Sequence, residues 1–113
     1  MTITSVVLRR RVNELGPALD FYVRLTGQPA TRFEFAGLDL ASVGPFLLFS
    51  GPDGIAERFA GVAATLAVGD LEAAVAHCEA AGGEVIAAPT ATPNGHRAVV
   101  RHPDGGVYEY VGG

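Results

Sequence analysis

The sequence predicts an α+β fold made of two successive βαβββ units. Three observations predict it. The order of strand-like and helix-like stretches in the first half recurs in the second. The two helical stripes match position for position, Leu15 with Leu71, Ala18 with Ala74, Leu19 with Val75 and Tyr22 with Cys78, and such self-similarity marks a duplicated supersecondary unit. The chain closes on a tight turn and a short alternating strand, from His102 to Val111. Each half is too small to bury its own helix stripe and sheet face, so two halves must combine, in one chain or between two.

Ile3–Val12 is rich in β-branched residues and reads as a strand, with Val7, Arg9 and Arg11 on one face. Leu15 to Leu25 carries an apolar stripe at helical spacing, with Pro17 in the first turn and Gly27 closing the end. Three short strands are expected at Ala30–Phe35, Leu38–Val43 and Pro45–Ser50, separated by Gly37, Gly44 and the Gly51-Pro52-Asp53-Gly54 cluster. Residues 55–61 read as a linker. Val62–Val68 is the next strand. Asp70 caps a helix to Ala81, with Leu71, Ala74, Val75 and Cys78 as its buried stripe. Strands follow at Glu84–Ala88, Arg97–Arg101 and Val107–Val111, with Pro89–Gly95 as an exposed connection. The reading is one domain, with module one at 1–54 and module two at 62–113.

In the last turn Pro103 presets φ, and Gly105 and Gly106 accept conformations a side chain would resist. In the strand that follows, Val107, Glu109 and Val111 share one face and Tyr108 and Tyr110 the other. Glu109 is thus one carboxylate on an otherwise apolar face, which is either a surface edge or a polar group aimed into a pocket.

Composition removes several function classes. Hydrophobic residues make up 49% of the chain, enough for a core, yet no apolar run approaches the ~20 residues of a membrane span. The net charge of −4 argues against a broad nucleic-acid-binding surface. All eight basic residues are arginine, so no lysine is present for Schiff-base or P-loop chemistry. Cys78 is the single cysteine, which leaves no internal disulfide and no cysteine-based zinc cluster. Arg9, Arg10 and Arg11 follow the apolar Ile3–Leu8 run, the reverse of a signal peptide, so a cytoplasmic protein is expected. Dinucleotide, P-loop, nucleophile-elbow and His-Glu-x-x-His motifs are absent.

Three segments resemble the vicinal oxygen chelate superfamily, which includes glyoxalase I, bleomycin-resistance proteins, fosfomycin-resistance enzymes and extradiol dioxygenases. They are Glu14-Leu15…Phe21-Tyr22…Leu25-Thr26-Gly27, then Val68-Gly69-Asp70-Leu71-Glu72-Ala73-Ala74, and Pro103-Asp104-Gly105-Gly106-Val107-Tyr108-Glu109. The resemblance covers the whole chain. It implies two modules forming a curved mixed-sheet cup with helices on the outside, and it implies a homodimer. Metal-dependent members place a ligand ahead of the acidic helix start in both halves. Here those positions hold Val7 and Ala63, and only Glu109 matches a carboxylate ligand. A catalytic metal site usually needs about three protein ligands. The expectation is therefore no metal and no cofactor, with a divalent metal as the alternative.

The resemblance places Arg9 and Arg11 on the cup-facing side, where an arginine pairs with a ligand carboxylate or phosphate, with Glu109, or with water. Ala63, Thr65 and Ala67 are small and leave room for a cavity. His96 next to Arg97 is a candidate partner for Glu109 in acid–base work, or a loop residue in solvent. His77 reads as exposed and His102 as a turn residue. Cys78 reads as core. Phe33, Phe35, Phe46 and Phe49 are candidate apolar walls. The predicted ligand-binding set is Val7, Arg9, Arg11, Ala63, Thr65, Arg97 and Glu109, with Glu109 and His96 as catalytic candidates. The expected role is to bind an organic small molecule, such as a sequestered antibiotic, with no nucleic-acid or membrane partner. The alternative is a lyase, isomerase or dioxygenase-like enzyme using Glu109.

Overall fold

A computed structural model describes residues 2–113. Its elements run β1 (Ile3–Arg11), α1 (Leu15–Thr26), β2 (Ala30–Phe35), β3 (Leu38–Val43), β4 (Phe46–Ser50), α2 (Asp53–Ala60), β5 (Ala64–Val68), α3 (Leu71–Ala80), β6 (Glu84–Thr92), β7 (Gly95–Arg101) and β8 (Val107–Gly112). The fold is α+β, and βαβββ occurs twice. The residues fall into two compact units, Val7–Gly61 and a second made of the first six residues with Val62–Gly113, so the division falls inside β1.

In the first of these units the ladder order is β2-β3-β4-β1. The two hairpin pairings are antiparallel, and β1 lies parallel to β4, Arg9 opposite Leu47 and Arg11 opposite Phe49. Helix α1 crosses from β1 to β2 and packs on one face. Its Leu15 and Leu19 are buried against Ala41, Val43 and Leu48. Gly27 ends it in the left-handed region at φ 67°, its N–H returning to the Val23 carbonyl, a cap that glycine adopts without steric cost.

The second unit repeats this plan as β6-β7-β8-β5, with β5 parallel to β8 and Thr65 opposite Glu109. Helix α3 buries Leu71, Ala74, Val75 and Cys78 against Leu66, Val68, Ala98, Val100 and Tyr110. The Asp70 carboxylate accepts from the Ala73 N–H at 3.1 Å, the expected cap.

Two stretches differ from expectation. Residues 55–61, read as a linker, lie largely in α2. Its turn-forming Pro52 and Gly54 sit at the helix start, where proline costs nothing, while Ile55, Ala56 and Phe59 supply an apolar side. That side packs on Leu38, Leu40 and Phe49, the face opposite α1. Pro89–Gly95, read as a loop, is mostly strand: β6 runs to Thr92. Pro89 is accommodated because β6 is an edge strand and its pairing slips between Ala87 and Thr90.

The β2–β3 turn is two residues long, and both are left-handed: Ala36 at φ 53° and Gly37 at φ 84°. Mirror-type hairpin turns need this, and alanine pays a Cβ–carbonyl clash for it. Replacing Ala36 with asparagine is expected to raise stability by about 1 kcal/mol, read from urea denaturation midpoints at constant slope.

Candidate functional site

Period-2 alternation on β5, β7 and β8 turns one set of side chains toward α3 and the other set away from it. The set facing away includes Thr65, Ala67, Arg97, Val99, Glu109 and Val111. Glu109 stands directly opposite Thr65 and one step diagonal from Arg97. The Thr65 hydroxyl donates to Glu109 Oε1 at 2.9 Å, and Arg97 Nε donates to Oε2 at 2.8 Å. The Glu109 side chain is 17% exposed and that of Arg97 is 42% exposed. Arg97 thus leans its inner nitrogen on the carboxylate while the rest of its guanidinium remains partly open. Charge-assisted bonds of this kind are short and orient both groups. Ala63, just before β5, is exposed, and its N–H donates to the Val107 carbonyl at 2.9 Å.

The corresponding face of the other unit has a different character. Its parallel pairing puts Arg9 opposite Leu47, in the place where the second unit has Thr65 opposite Glu109. The carboxylate position is thus occupied by leucine. Helix α2 lies on this face. Arg9 Nη1 donates to the Phe59 carbonyl at 3.1 Å, and its guanidinium sits 4.0 Å from the Phe59 ring centre. Arg11 Nη2 reaches Asp53 Oδ1 at 2.7 Å, at the first residue of α2. Val7 is half-buried on the same face by alternation.

The structure joins Thr65, Arg97 and Glu109 and separates His96 from them. His96 lies opposite Gly112, its neighbour Arg97 opposite Val111, and Glu109 opposite Val99. His96 therefore projects from the α3 side of the sheet, so the expected His96–Glu109 pair does not form, and His96 is exposed. Of the candidate aromatic walls, Phe49 is core beneath Phe59, Phe46 packs on Tyr22 with ring centres 4.7 Å apart, and Phe33 and Phe35 are exposed on β2.

The sequence profile of the Glyoxalase/Bleomycin resistance protein/Dioxygenase superfamily matches residues 3–110. The chain belongs to this superfamily. An uncharacterised protein from Methanosarcina mazei is 37% identical, with 99% of this chain and 94% of that one covered and a TM-score of 0.84. Methylmalonyl-CoA epimerase from Mycobacterium tuberculosis shares the fold at 18% identity and TM-score 0.65, covering 97% of this chain and 88% of that one. A hypothetical protein from Bacillus halodurans does so at 17% identity and TM-score 0.64, covering 97% and 96%. Among curated proteins, none matches the chain significantly.

Family membership raises the question of a metal. Glu109 accepts from a hydroxyl and from a guanidinium, and the positive guanidinium competes with a cation for the same carboxylate. No group of three or more His, Cys, Asp or Glu among the described residues is placed to hold a metal ion. A catalytic metal site usually needs about three protein ligands, and Glu109 supplies one carboxylate. Among the described residues, no helix is long and apolar enough to cross a membrane.

A second polar network lies on the α3 side and was not evident from the sequence. His102 Nε2 and the Tyr110 hydroxyl are 2.6 Å apart, and Cys78 Sγ is 3.2 Å from the same hydroxyl. His102 also stacks on Tyr108, ring centres 4.3 Å apart. Its turn position is as expected, but the ring folds back onto the strand. The one available signal was Tyr108 and Tyr110 alternating just after the turn. Tyr110 is 1% exposed, and burial first, then Cys78, raises its pKa well above the ordinary phenol value.

Two outcomes follow. Glu109→Gln removes the charge that holds Arg97 and is expected to cost about 1–2 kcal/mol in chemical denaturation. For Tyr110, the unfolded phenol ionises near pH ~10 while the folded one keeps its proton to higher pH. Its stabilising contribution is full below that value and falls as pH rises beyond it. The alkaline loss of stability is expected to be smaller in Tyr110→Phe, compared by thermal melts from neutral pH to above about pH 10.

Proposed function

We propose that this protein is a metal-independent small-molecule-binding member of the superfamily that sequesters an organic ligand, antibiotics included. One observation carries the reading. The second unit presents a positioned Thr65–Glu109–Arg97 trio beside small and apolar residues, with α3 on the other face of the sheet. In the other unit the equivalent face is packed by α2.

The chemistry of the trio supports binding over catalysis. Glu109 takes one bond on each of its oxygens, from Thr65 and from Arg97, which fixes the carboxylate as a positioning group. Held as it is, Glu109 fixes the Arg97 guanidinium, which offers planar donors to a ligand oxygen. Thr65 fixes the carboxylate in turn, and Ala63 and Ala67 leave space for the ligand body. Arg9 and Arg11 are engaged by Phe59 and Asp53 and contribute by anchoring α2. The alternative is a lyase, isomerase or dioxygenase-like enzyme in which Glu109 takes part in the reaction, with or without a divalent metal.

The test is a thermal-shift screen of organic compounds with chelator present throughout. A ligand at about a hundred times its dissociation constant adds roughly 2.7 kcal/mol, an easily read shift. The expected result is one or more stabilising compounds whose effect is unchanged by chelator and lost in Arg97→Ala. Turnover of catechols or glutathione adducts, with no compound binding, would overturn the reading and favour the enzyme.

A further inference from the structure

On the face of the second unit that turns away from α3, opposite residues line up in rows across the strands. One row holds Arg97 on β7, Val111 on β8 and Ala67 on β5. The next holds Val99, Glu109 and Thr65. Arg97 crosses from its own row to the next with Nε alone, at 2.8 Å from Glu109 Oε2. Its terminal nitrogens, Nη1 and Nη2, take no hydrogen-bond or ion-pair partner among the described residues. Glu109 already accepts on both oxygens, from Thr65 and from Arg97. Its side chain is 17% exposed against 42% for Arg97, so the guanidinium is the more accessible of the two charges. An arginine offers donors and no acceptor. Beside it, Val111 and Ala67 are half-buried and carry no polar side-chain atom. Neighbouring strands lie about 4.8 Å apart, so this apolar ledge reaches about 10 Å from the β7 backbone.

We infer that the ligand of this face is a singly charged organic acid with a small apolar body, its carboxylate on Arg97 Nη1 and Nη2 and its body on Val111 and Ala67. The inference rests on the binding reading above and names the ligand class within it. Three physical points select that class. Two N–H groups of the guanidinium match the two oxygens of one carboxylate in a bidentate, charge-assisted contact. An ammonium group meets the guanidinium as a like charge, and a neutral alcohol offers it a single, weaker bond. A doubly charged phosphate ester sets two negative charges near the Glu109 carboxylate where an organic acid sets one. Thr65 and Glu109 act here as positioning residues: they hold Nε and leave the terminal pair to the ligand.

The test is a protein-observed NMR titration of the full chain with chelator present, using benzoate, benzyl alcohol, benzylamine and phenyl phosphate as probes, with melts to confirm that each variant folds. Benzoate is expected to shift the Arg97 side-chain signal and the methyl signals of Ala67 and Val111, and to bind about tenfold more tightly than the other three. Arg97→Gln is expected to weaken benzoate to the level of benzyl alcohol and to leave the alcohol unchanged. Arg97→Lys keeps the charge without the fork and is expected to retain the preference for benzoate at lower affinity. Ala67→Leu fills the ledge and is expected to weaken every probe. Another probe bound at these residues as tightly as benzoate overturns the organic-acid class and leaves the small-molecule reading standing. A preference for benzoate that survives in Arg97→Gln overturns the role of Arg97. Benzoate binding that appears only when a divalent metal replaces the chelator overturns the metal-independent reading and leaves the class standing. Binding of none of the four at this face overturns the inference, and the binding reading then stands or falls on the wider compound screen.

Discussion

The parallel pairing of the first and last strands of each βαβββ module is the constraint on which everything else depends. A parallel neighbour cannot be reached by a tight turn, so the chain must leave, cross in a helix, and return through a hairpin series. The helix then covers one face of its sheet, and the other face is formed by the odd-numbered positions of both paired strands. In the second module that closure sets Thr65 beside Glu109, although they are far apart in sequence. The next antiparallel step sets Arg97 within reach of the same carboxylate. The candidate site is a consequence of topology acting on three residue identities.

Duplication then allowed the same positions to take different tasks. Where one module has Thr65 and Glu109, the other has Arg9 and Leu47. A leucine on that face calls for apolar cover, and α2 supplies it through Ile55, Ala56 and Phe59. Arg9 and Arg11 on β1 are consistent with this: both hold α2, one through a backbone carbonyl and a ring, the other through Asp53. One face became core and the other carries a half-buried ion pair. The His102–Tyr110–Cys78 network shows a further use of the closing hairpin, tying the final turn to α3 through one buried hydroxyl.

Much of the fold was legible because it follows from local patterns. Helical stripes, glycine punctuation and strand alternation located β1–β5, α1, α3, β7 and β8 to within a few residues. The misread stretches share a cause. In α2 and β6 the turn-forming residues are present, but their effect depends on position. Pro52 and Gly54 start a helix because their apolar neighbours find Phe49 to pack on, and Pro89 sits in a strand because that strand is an edge. Of the candidate site, the face of Glu109 was readable from alternation, and Thr65 and Arg97 were among the expected residues. The exclusion of His96 was not readable, since one residue's step along β7 moves it to the other side of the sheet.

The sequence by itself determined the modules, the helix caps, the classes of chemistry that its composition leaves out, and the carboxylate on an apolar strand. These are local properties: they depend on spacing and on residue type. Tertiary structure alone decided which groups meet. Partner choice for Glu109 depends on strand register, the cover over Leu47 depends on where α2 docks, and the bond from His102 to Tyr110 depends on a ring folding back over its own hairpin. Register and docking are settled by the whole core at once, because slipping a strand by one residue exchanges its buried and exposed faces.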